Sequence, residues 1–106
     1  MIAWLSAFAF TQAVEVPIYL RAGASWRVAF LASALTHPFV WFGFSTVGKL
    51  GLGYWGTVVL VECFAIGVET VWLSARGVKR AFYWCLLANL TSVTLGFVSR
   101  WAFGWP

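Results

Sequence analysis

Four long apolar stretches occupy nearly the whole chain and limit the folds available to it. A run of about 20 apolar residues can cross the hydrocarbon core of a bilayer as a helix, and the four runs cover residues 1–20, 28–47, 54–75 and 81–98. The segments between them are short, with the sequences RAGASWR, GKLGLG and ARGVKR. We therefore predict an all-α integral membrane four-helix bundle that forms a single transmembrane domain over residues 1–106.

The scarcity of charge places this bundle in lipid. Charged residues make up 9% of the chain and hydrophobic residues 62%, whereas a soluble domain carries about 25% charged residues. Too little polar surface is available to face water on all sides, so the expected partner is the lipid bilayer. The net charge of +4 is spread over the connections and the last span, and this pattern does not predict a nucleic-acid partner.

The basic residues predict the orientation of the bundle. Five of the seven belong to the first and third connections: Arg21, Arg27, Arg76, Lys79 and Arg80. The second connection holds only Lys49. Connections rich in lysine and arginine stay in the cytoplasm. We therefore expect a multi-pass protein of the bacterial inner membrane, with connections one and three in the cytoplasm and both termini outside.

All three acidic residues, Glu15, Glu62 and Glu69, fall inside predicted spans. A charged side chain near the centre of a bilayer costs about 2.5–3.5 kcal/mol on insertion scales. Such residues usually face the interior of a bundle, where polar partners or a water-filled cavity reduce that cost. The acids are therefore the first candidates for a functional site.

Depth along the spans groups these acids with other polar side chains. Counting about 1.5 Å per residue from the cytoplasmic end of each span places five groups in one layer: Gln12, Glu15, His37, Glu69 and Asn89. Glu62 lies deeper, near the level of Ser92. We expect Glu15 and Glu69 to face each other, within reach of Gln12, His37 or Asn89. Like charges in a dry site cannot both ionise cheaply, so at least one carboxyl group is expected to be protonated.

The two halves of the chain resemble each other. With one-residue gaps, Val-Glu aligns with Val-Glu (Glu15 on Glu69), Gly23 with Gly77, and Leu-Thr with Leu-Thr (Thr36 on Thr91). A repeat of two spans keeps its orientation in the membrane, so its copies are related by an axis along the membrane normal. The sequence thus predicts two tandem two-helix repeats around a pseudo-two-fold axis.

Four short motifs extend this pattern: EVP (Glu15–Pro17), LTHP (Leu35–Pro38), ECFAIGVE (Glu62–Glu69) and NLTS (Asn89–Ser92). The chain resembles small, functionally uncharacterised bacterial membrane proteins with four predicted spans, which carry such elements in the same order. Many of those proteins have asparagine where this chain has His37. The resemblance implies the four-span architecture and implies no activity.

The sequence does not predict an enzyme, a cofactor or a metal site. No Gly-x-Ser-x-Gly turn occurs, and the connections are too short to build an oxyanion hole around a nucleophile. Two alternatives remain open for His37: a mononuclear metal site with Glu15 and Glu69, or axial ligation of a haem or pigment. The commoner role of a single intramembrane histidine is that of a hydrogen-bond partner.

Two functions fit these observations. In the first, the protein binds or transports a proton, a cation or a small cationic solute through six residues: Gln12, Glu15, His37, Glu62, Glu69 and Asn89. Four spans are few for a pathway, so we then expect a homodimer. In the second, the protein is a non-catalytic accessory or assembly subunit of a larger membrane complex, and the polar layer serves folding and the docking of partner subunits.

Overall fold

The computed structural model describes residues 2–105, which form four α-helices. Their bounds are α1 Ile2–Arg21, α2 Trp26–Gly48, α3 Gly53–Ala75 and α4 Ala81–Phe103. The prediction of an all-α four-helix bundle is confirmed. The helices follow the predicted spans closely, although α2 begins two residues earlier and α4 continues five residues further.

Three of the helices, α2, α3 and α4, are long and apolar enough to cross a membrane, with mean hydropathy values of 1.3, 1.8 and 1.5. Helix α1 has 20 residues and is not in this set, since Gln12 and Glu15 lie within it. The chain is therefore a multi-pass membrane protein whose apolar helix surfaces suit a lipid bilayer.

The helices form a ring in which α1 and α3 each pack against α2 and α4. Within the described residues, α1 and α3 therefore occupy one diagonal of the bundle, and α2 and α4 occupy the other. Short connections make successive helices antiparallel. The first and third connections thus share one end of the bundle, and the second connection lies at the opposite end.

Helices α1 and α3 end in the same way. Each is followed by a glycine with positive φ, 101° at Gly23 and 85° at Gly77, which a residue with a Cβ rarely adopts. Each end is closed by a long-range amide bond of the Schellman type: Ala24 to the Tyr19 carbonyl at 3.1 Å, and Val78 to the Leu73 carbonyl at 3.0 Å. The corresponding positions are 54 residues apart, the separation of Glu15 and Glu69.

The buried positions of α2 and α4 also correspond, at a separation of 56 residues. The pairs are Ala29 and Cys85, Ala32 and Ala88, Ser33 and Asn89, and Thr36 and Ser92, all buried. Thr91, which the sequence comparison aligned with Thr36, is only half-buried. The connection between α3 and α4 has five residues and that between α1 and α2 has four, which accounts for one of the two residues by which the separation rises from 54 to 56. At this separation the buried position that corresponds to Thr36 is Ser92.

Tryptophans mark the end of the bundle that holds the first and third connections. The guanidinium carbon of Arg76 lies 4.2 Å from the centre of the Trp72 ring, and that of Arg27 lies 5.4 Å from the Trp26 ring. Trp72 Nε1 also donates a hydrogen bond to the carbonyl of Val28 at 3.0 Å. Arginine and tryptophan together are typical of the membrane–water interface.

Candidate functional site: a buried carboxylate layer

Glu15 projects from α1 into the centre of the bundle, where it is only 2% exposed. Both of its oxygens accept a hydrogen bond from a serine on a neighbouring helix. Ser33 Oγ of α2 donates to Oε1 at 2.6 Å, and Ser92 Oγ of α4 donates to Oε2 at 2.6 Å. One carboxyl group thus joins three helices.

Glu69 projects inward from α3 and is 1% exposed. Its Oε1 accepts a hydrogen bond from the Tyr19 hydroxyl at 2.5 Å and from Asn89 Nδ2 at 3.3 Å. Its Oε2 accepts from Thr36 Oγ1 at 2.7 Å. The donors belong to α1, α4 and α2, so this carboxyl group contacts every other helix. The carboxylate layer is our name for the two acids together with the five side chains that donate to them. It consists of Glu15, Glu69, Tyr19, Ser33, Thr36, Asn89 and Ser92.

Two hydroxyl groups of the carboxylate layer have a second acceptor within reach. Thr36 Oγ1 lies 3.4 Å from the carbonyl oxygen of Ser33, and Ser92 Oγ lies 3.2 Å from that of Asn89. A hydroxyl group both donates and accepts, and its hydrogen rotates to suit its surroundings. If a carboxyl group takes a proton, its O–H can donate to the hydroxyl oxygen while the hydroxyl hydrogen turns to the backbone. The carboxylate layer can therefore hold either form without moving its heavier atoms.

A cavity of about 150 Å³ adjoins the carboxylate layer. All three acidic residues line it, together with His37 and Asn89, and no lysine or arginine of residues 2–105 does so. One water molecule occupies about 30 Å³ in the liquid, so this polar cavity has room for several waters or for one small solute. Its wall is acidic, and within the described residues it has no lysine or arginine to neutralise the acids.

Glu62 differs from the other two acids in its surroundings. It lies on α3 seven residues before Glu69, which puts it on the same face of the helix and about 10.5 Å further along the axis. It is half-buried and lines the polar cavity. Within the described part of the chain, no hydrogen bond reaches its carboxyl group.

His37 lies between the polar cavity and an aromatic cluster. Its ring stacks on Trp41 at a centroid distance of 6.2 Å, and the centroids of Phe8 and Trp4 lie 5.3 Å and 6.0 Å away. Its Nδ1 is buried and has no hydrogen-bond partner in residues 2–105. A buried nitrogen of this kind needs a partner such as water or a bound ligand.

Asn89 lies in the carboxylate layer as expected, but Gln12 does not. The Gln12 side chain donates through Nε2 to the carbonyl of Phe30 at 3.1 Å and is not among the residues that line the polar cavity. Helix α1 directs Glu15 to the bundle centre, whereas Gln12 joins the backbone of α2. The other five predicted site residues line the cavity: Glu15, His37, Glu62, Glu69 and Asn89.

The sequence interpretation missed Thr36 as a donor to the acids, and the available signal was spacing. Ser33 and Thr36 on α2 are three residues apart, as are Asn89 and Ser92 on α4. Residues at this spacing share one helix face. Each pair supplies one donor to Glu15 and one to Glu69.

In residues 2–105, no three side chains of histidine, cysteine, aspartate or glutamate come close enough together to hold a metal ion. The mononuclear site weighed for Glu15, Glu69 and His37 is therefore not assembled. Cys63 is exposed, Cys85 is buried, and the two are not bridged.

A second cavity of about 170 Å³ adjoins the first. Both are lined by Thr11, Ser92 and Val93. The second cavity extends along α4 past Gly96 to Arg100, and thus towards the end of the bundle that holds the second connection. Together, the two cavities extend from the carboxylate layer towards that end of the bundle.

No protein-family model, curated protein or solved structure matches the chain. Its function must therefore be argued from the geometry of the site. The chain is a small multi-span membrane protein whose four helices enclose a hydrogen-bonded network centred on Glu15 and Glu69.

Proposed function

We propose that the protein is a non-catalytic membrane protein that binds a cation in the polar cavity and moves it across the bilayer. The observation that carries this proposal is the composition of the cavity wall, which contains three carboxyl groups and no lysine or arginine. In a medium of low dielectric constant, such a wall strongly attracts positive charge. Intramembrane carboxyl groups also mark ion pathways and proton relays in many membrane proteins.

The proton is the cation that suits this site best. Two hydroxyl groups of the carboxylate layer can turn between a carboxylate and a backbone carbonyl, so protonation requires no rearrangement of the helices. Water in the polar cavity would link Glu62 and His37 to the carboxylate layer. A small monovalent cation or a small cationic solute is the next candidate, since the cavity volume of about 150 Å³ limits its size.

We infer further that the bundle consists of two tandem helix pairs. The support comes from the matching ends of α1 and α3 and from the matching buried positions of α2 and α4. A pseudo-two-fold axis along the membrane normal then exchanges Glu15 with Glu69. Each helix pair contributes one carboxyl group to the shared layer, and its second helix contributes two donors; Tyr19 of α1 is an additional donor without a counterpart in the second pair.

The proposed setting is the bacterial inner membrane, with the first and third connections in the cytoplasm. The basic residues support this orientation, and so does the placement of Trp26 and Trp72 beside arginines at one end of the bundle. The second cavity would then open away from the cytoplasm. Because four helices offer little surface for a complete pathway, we expect two copies of the chain to act together.

The test is flux in proteoliposomes that contain the purified protein. Glu69→Gln should abolish proton or cation flux while the protein remains folded and inserted, because glutamine keeps the shape of the side chain but cannot exchange a proton or neutralise a cation. Glu15→Gln should behave in the same way, since the two residues hold equivalent places. His37→Asn is the matched control and should reduce flux only mildly. Absence of flux from the wild-type protein would contradict the proposal.

A second candidate function is that of an accessory subunit in a larger membrane complex. The observation in its favour is that Glu69 and Glu15 bind side chains from every neighbouring helix, as a purely structural layer would. In that case Glu69→Gln should leave stability unchanged or raise it, because the substitution removes the cost of burying a charge. Mild detergent extraction separates the two functions: a small homo-oligomer favours transport, and a large assembly favours the subunit.

A further inference from the structure

The three acids of the polar cavity are not equivalent in their hydrogen bonding. Every oxygen of Glu15 and Glu69 accepts a hydrogen bond from a protein side chain, and both residues are almost completely buried. A cation that approached either carboxyl group would have to compete with donors already in place. Glu15 and Glu69 are therefore better placed to hold the helices together than to be the first groups that a cation contacts.

Glu62 has the opposite properties. It is half-buried, lines the polar cavity, and receives no hydrogen bond within the described residues. An ionised carboxyl group near the middle of a membrane span is unstable without a partner. The free oxygens of Glu62 must therefore be satisfied by a proton, a cation or water in the cavity, and the groups that face it there are Glu15, Glu69 and His37.

His37 lines the same cavity as Glu62, but its Nδ1, which has no partner among the described residues, is buried and closed off from solvent. The need for an occupant therefore comes from Glu62, and a hydrated proton or a small hydrated cation in the cavity would meet it.

We propose that Glu62 is the carboxyl group that takes up and releases the transported cation, and that Glu15 and Glu69 are positioning residues that hold the four helices around it. This inference rests on the proposed function. It predicts that the three acids have different roles. Removal of the Glu62 carboxyl group should affect cation exchange alone. Changes at Glu15 or Glu69 should also alter the packing of the bundle.

Chemical labelling gives a test that does not depend on flux. Diisopropylcarbodiimide, a small lipid-soluble carbodiimide, adds to a protonated and accessible carboxyl group and rearranges to a stable N-acylurea, so that the entire reagent remains attached. Mass spectrometry of the digested protein should locate the adduct on Glu62. Labelling that occurs first on Glu15 or Glu69, or that is absent from all three acids, would overturn the inference.

Flux and stability measurements complete the test. Glu62→Gln should lose flux and keep the wild-type unfolding transition, because no hydrogen bond is lost. Glu62→Asp retains a carboxyl group and should recover part of the flux. Full flux in Glu62→Gln would refute the role of Glu62 and leave cation transport standing, whereas absence of flux in the wild-type protein would refute the proposed function itself.

Discussion

The hydrogen bond from Thr36 to Glu69 is the contact on which the stability of the carboxylate layer can be tested most cleanly. Thr36 Oγ1 donates to Oε2 at 2.7 Å, and no other hydrogen bond within the described residues reaches that oxygen. Thr36→Val keeps the branched shape of the side chain and removes the hydroxyl group. Glu69 is 1% exposed, so only water from the polar cavity could replace the lost donor.

The expected loss of stability in Thr36→Val follows from two ranges of hydrogen-bond energies. A hydrogen bond to a charged group contributes about 1.5–3 kcal/mol to the stability of a soluble protein. Hydrogen bonds between membrane helices average about 0.6 kcal/mol and reach about 1.7 kcal/mol. Because Thr36 is the one donor to Glu69 Oε2 among the described residues, we expect Thr36→Val to lower the free energy of unfolding by about 1–2 kcal/mol, near the upper end of the membrane range.

The assay is reversible unfolding in mixed micelles, followed by circular dichroism as the fraction of denaturing detergent rises. Thr94→Val is the matched control, because Thr94 is exposed on α4, and it should change stability by less than about 0.5 kcal/mol. A double-mutant cycle isolates the contact: in a Glu69→Leu background, Thr36→Val should cost almost nothing. An undiminished cost in that background, or equal effects of Thr36→Val and Thr94→Val, would refute the assigned bond.

Two further predictions concern the course of the cation and the orientation of the bundle. A Cβ at Gly96 would lie 3.8 Å from the Phe10 ring, so Gly96→Leu should fold, fill the second cavity and reduce flux. Gly67→Leu, on the open face of α3, is the control and should leave flux unchanged. Equal flux in both variants would contradict passage of the cation through the second cavity. Single cysteines at Ala22 and Lys49, in a chain without its native cysteines, should react from the cytoplasmic side and the outer side respectively, and the reverse pattern would contradict the orientation.

The fold was predictable because its main signals are local. Four apolar runs of sufficient length, separated by short basic or glycine-containing connections, permit few structures other than a bundle of antiparallel helices in a membrane. The ends of α1 and α3 were also visible in the sequence, since Gly23 and Gly77 stand where each helix must stop. The helix bounds differed by a few residues because helix formation continues beyond the apolar core.

The candidate site was predictable only in part. Depth along the spans grouped Glu15, Glu69 and Asn89 correctly, but it placed Ser92 at the deeper level of Glu62, whereas Ser92 donates a hydrogen bond to Glu15. Rotation about the helix axis decides which face each side chain occupies, and counting residues did not fix it for Gln12, which joins the backbone of α2. It likewise gave no reason to prefer Thr36 to the adjacent His37 as a donor to Glu69.

The separate role proposed for Glu62 could not have been predicted from the sequence at all. Glu62 and Glu69 are the same residue type, on one face of one helix, seven positions apart. What distinguishes them is that three other helices bring donors to Glu69, whereas no hydrogen bond within the described residues reaches Glu62. Such differences arise from packing between elements, and no pattern within a single helix contains them.

We propose that the polar cavity exchanges protons, with Glu62 as the group that takes them up and releases them and with Glu15 and Glu69 holding the helices around it. Infrared spectroscopy tests it most directly, because the carboxyl and carboxylate forms absorb at different frequencies and ¹³C-labelled glutamate separates them from other bands. We predict that the glutamate bands of the folded protein change between the carboxyl and the carboxylate form when the pH of the sample is varied, and that this change is lost when Glu62 is replaced by glutamine. Glutamate bands that stay constant when the pH is varied would contradict this exchange.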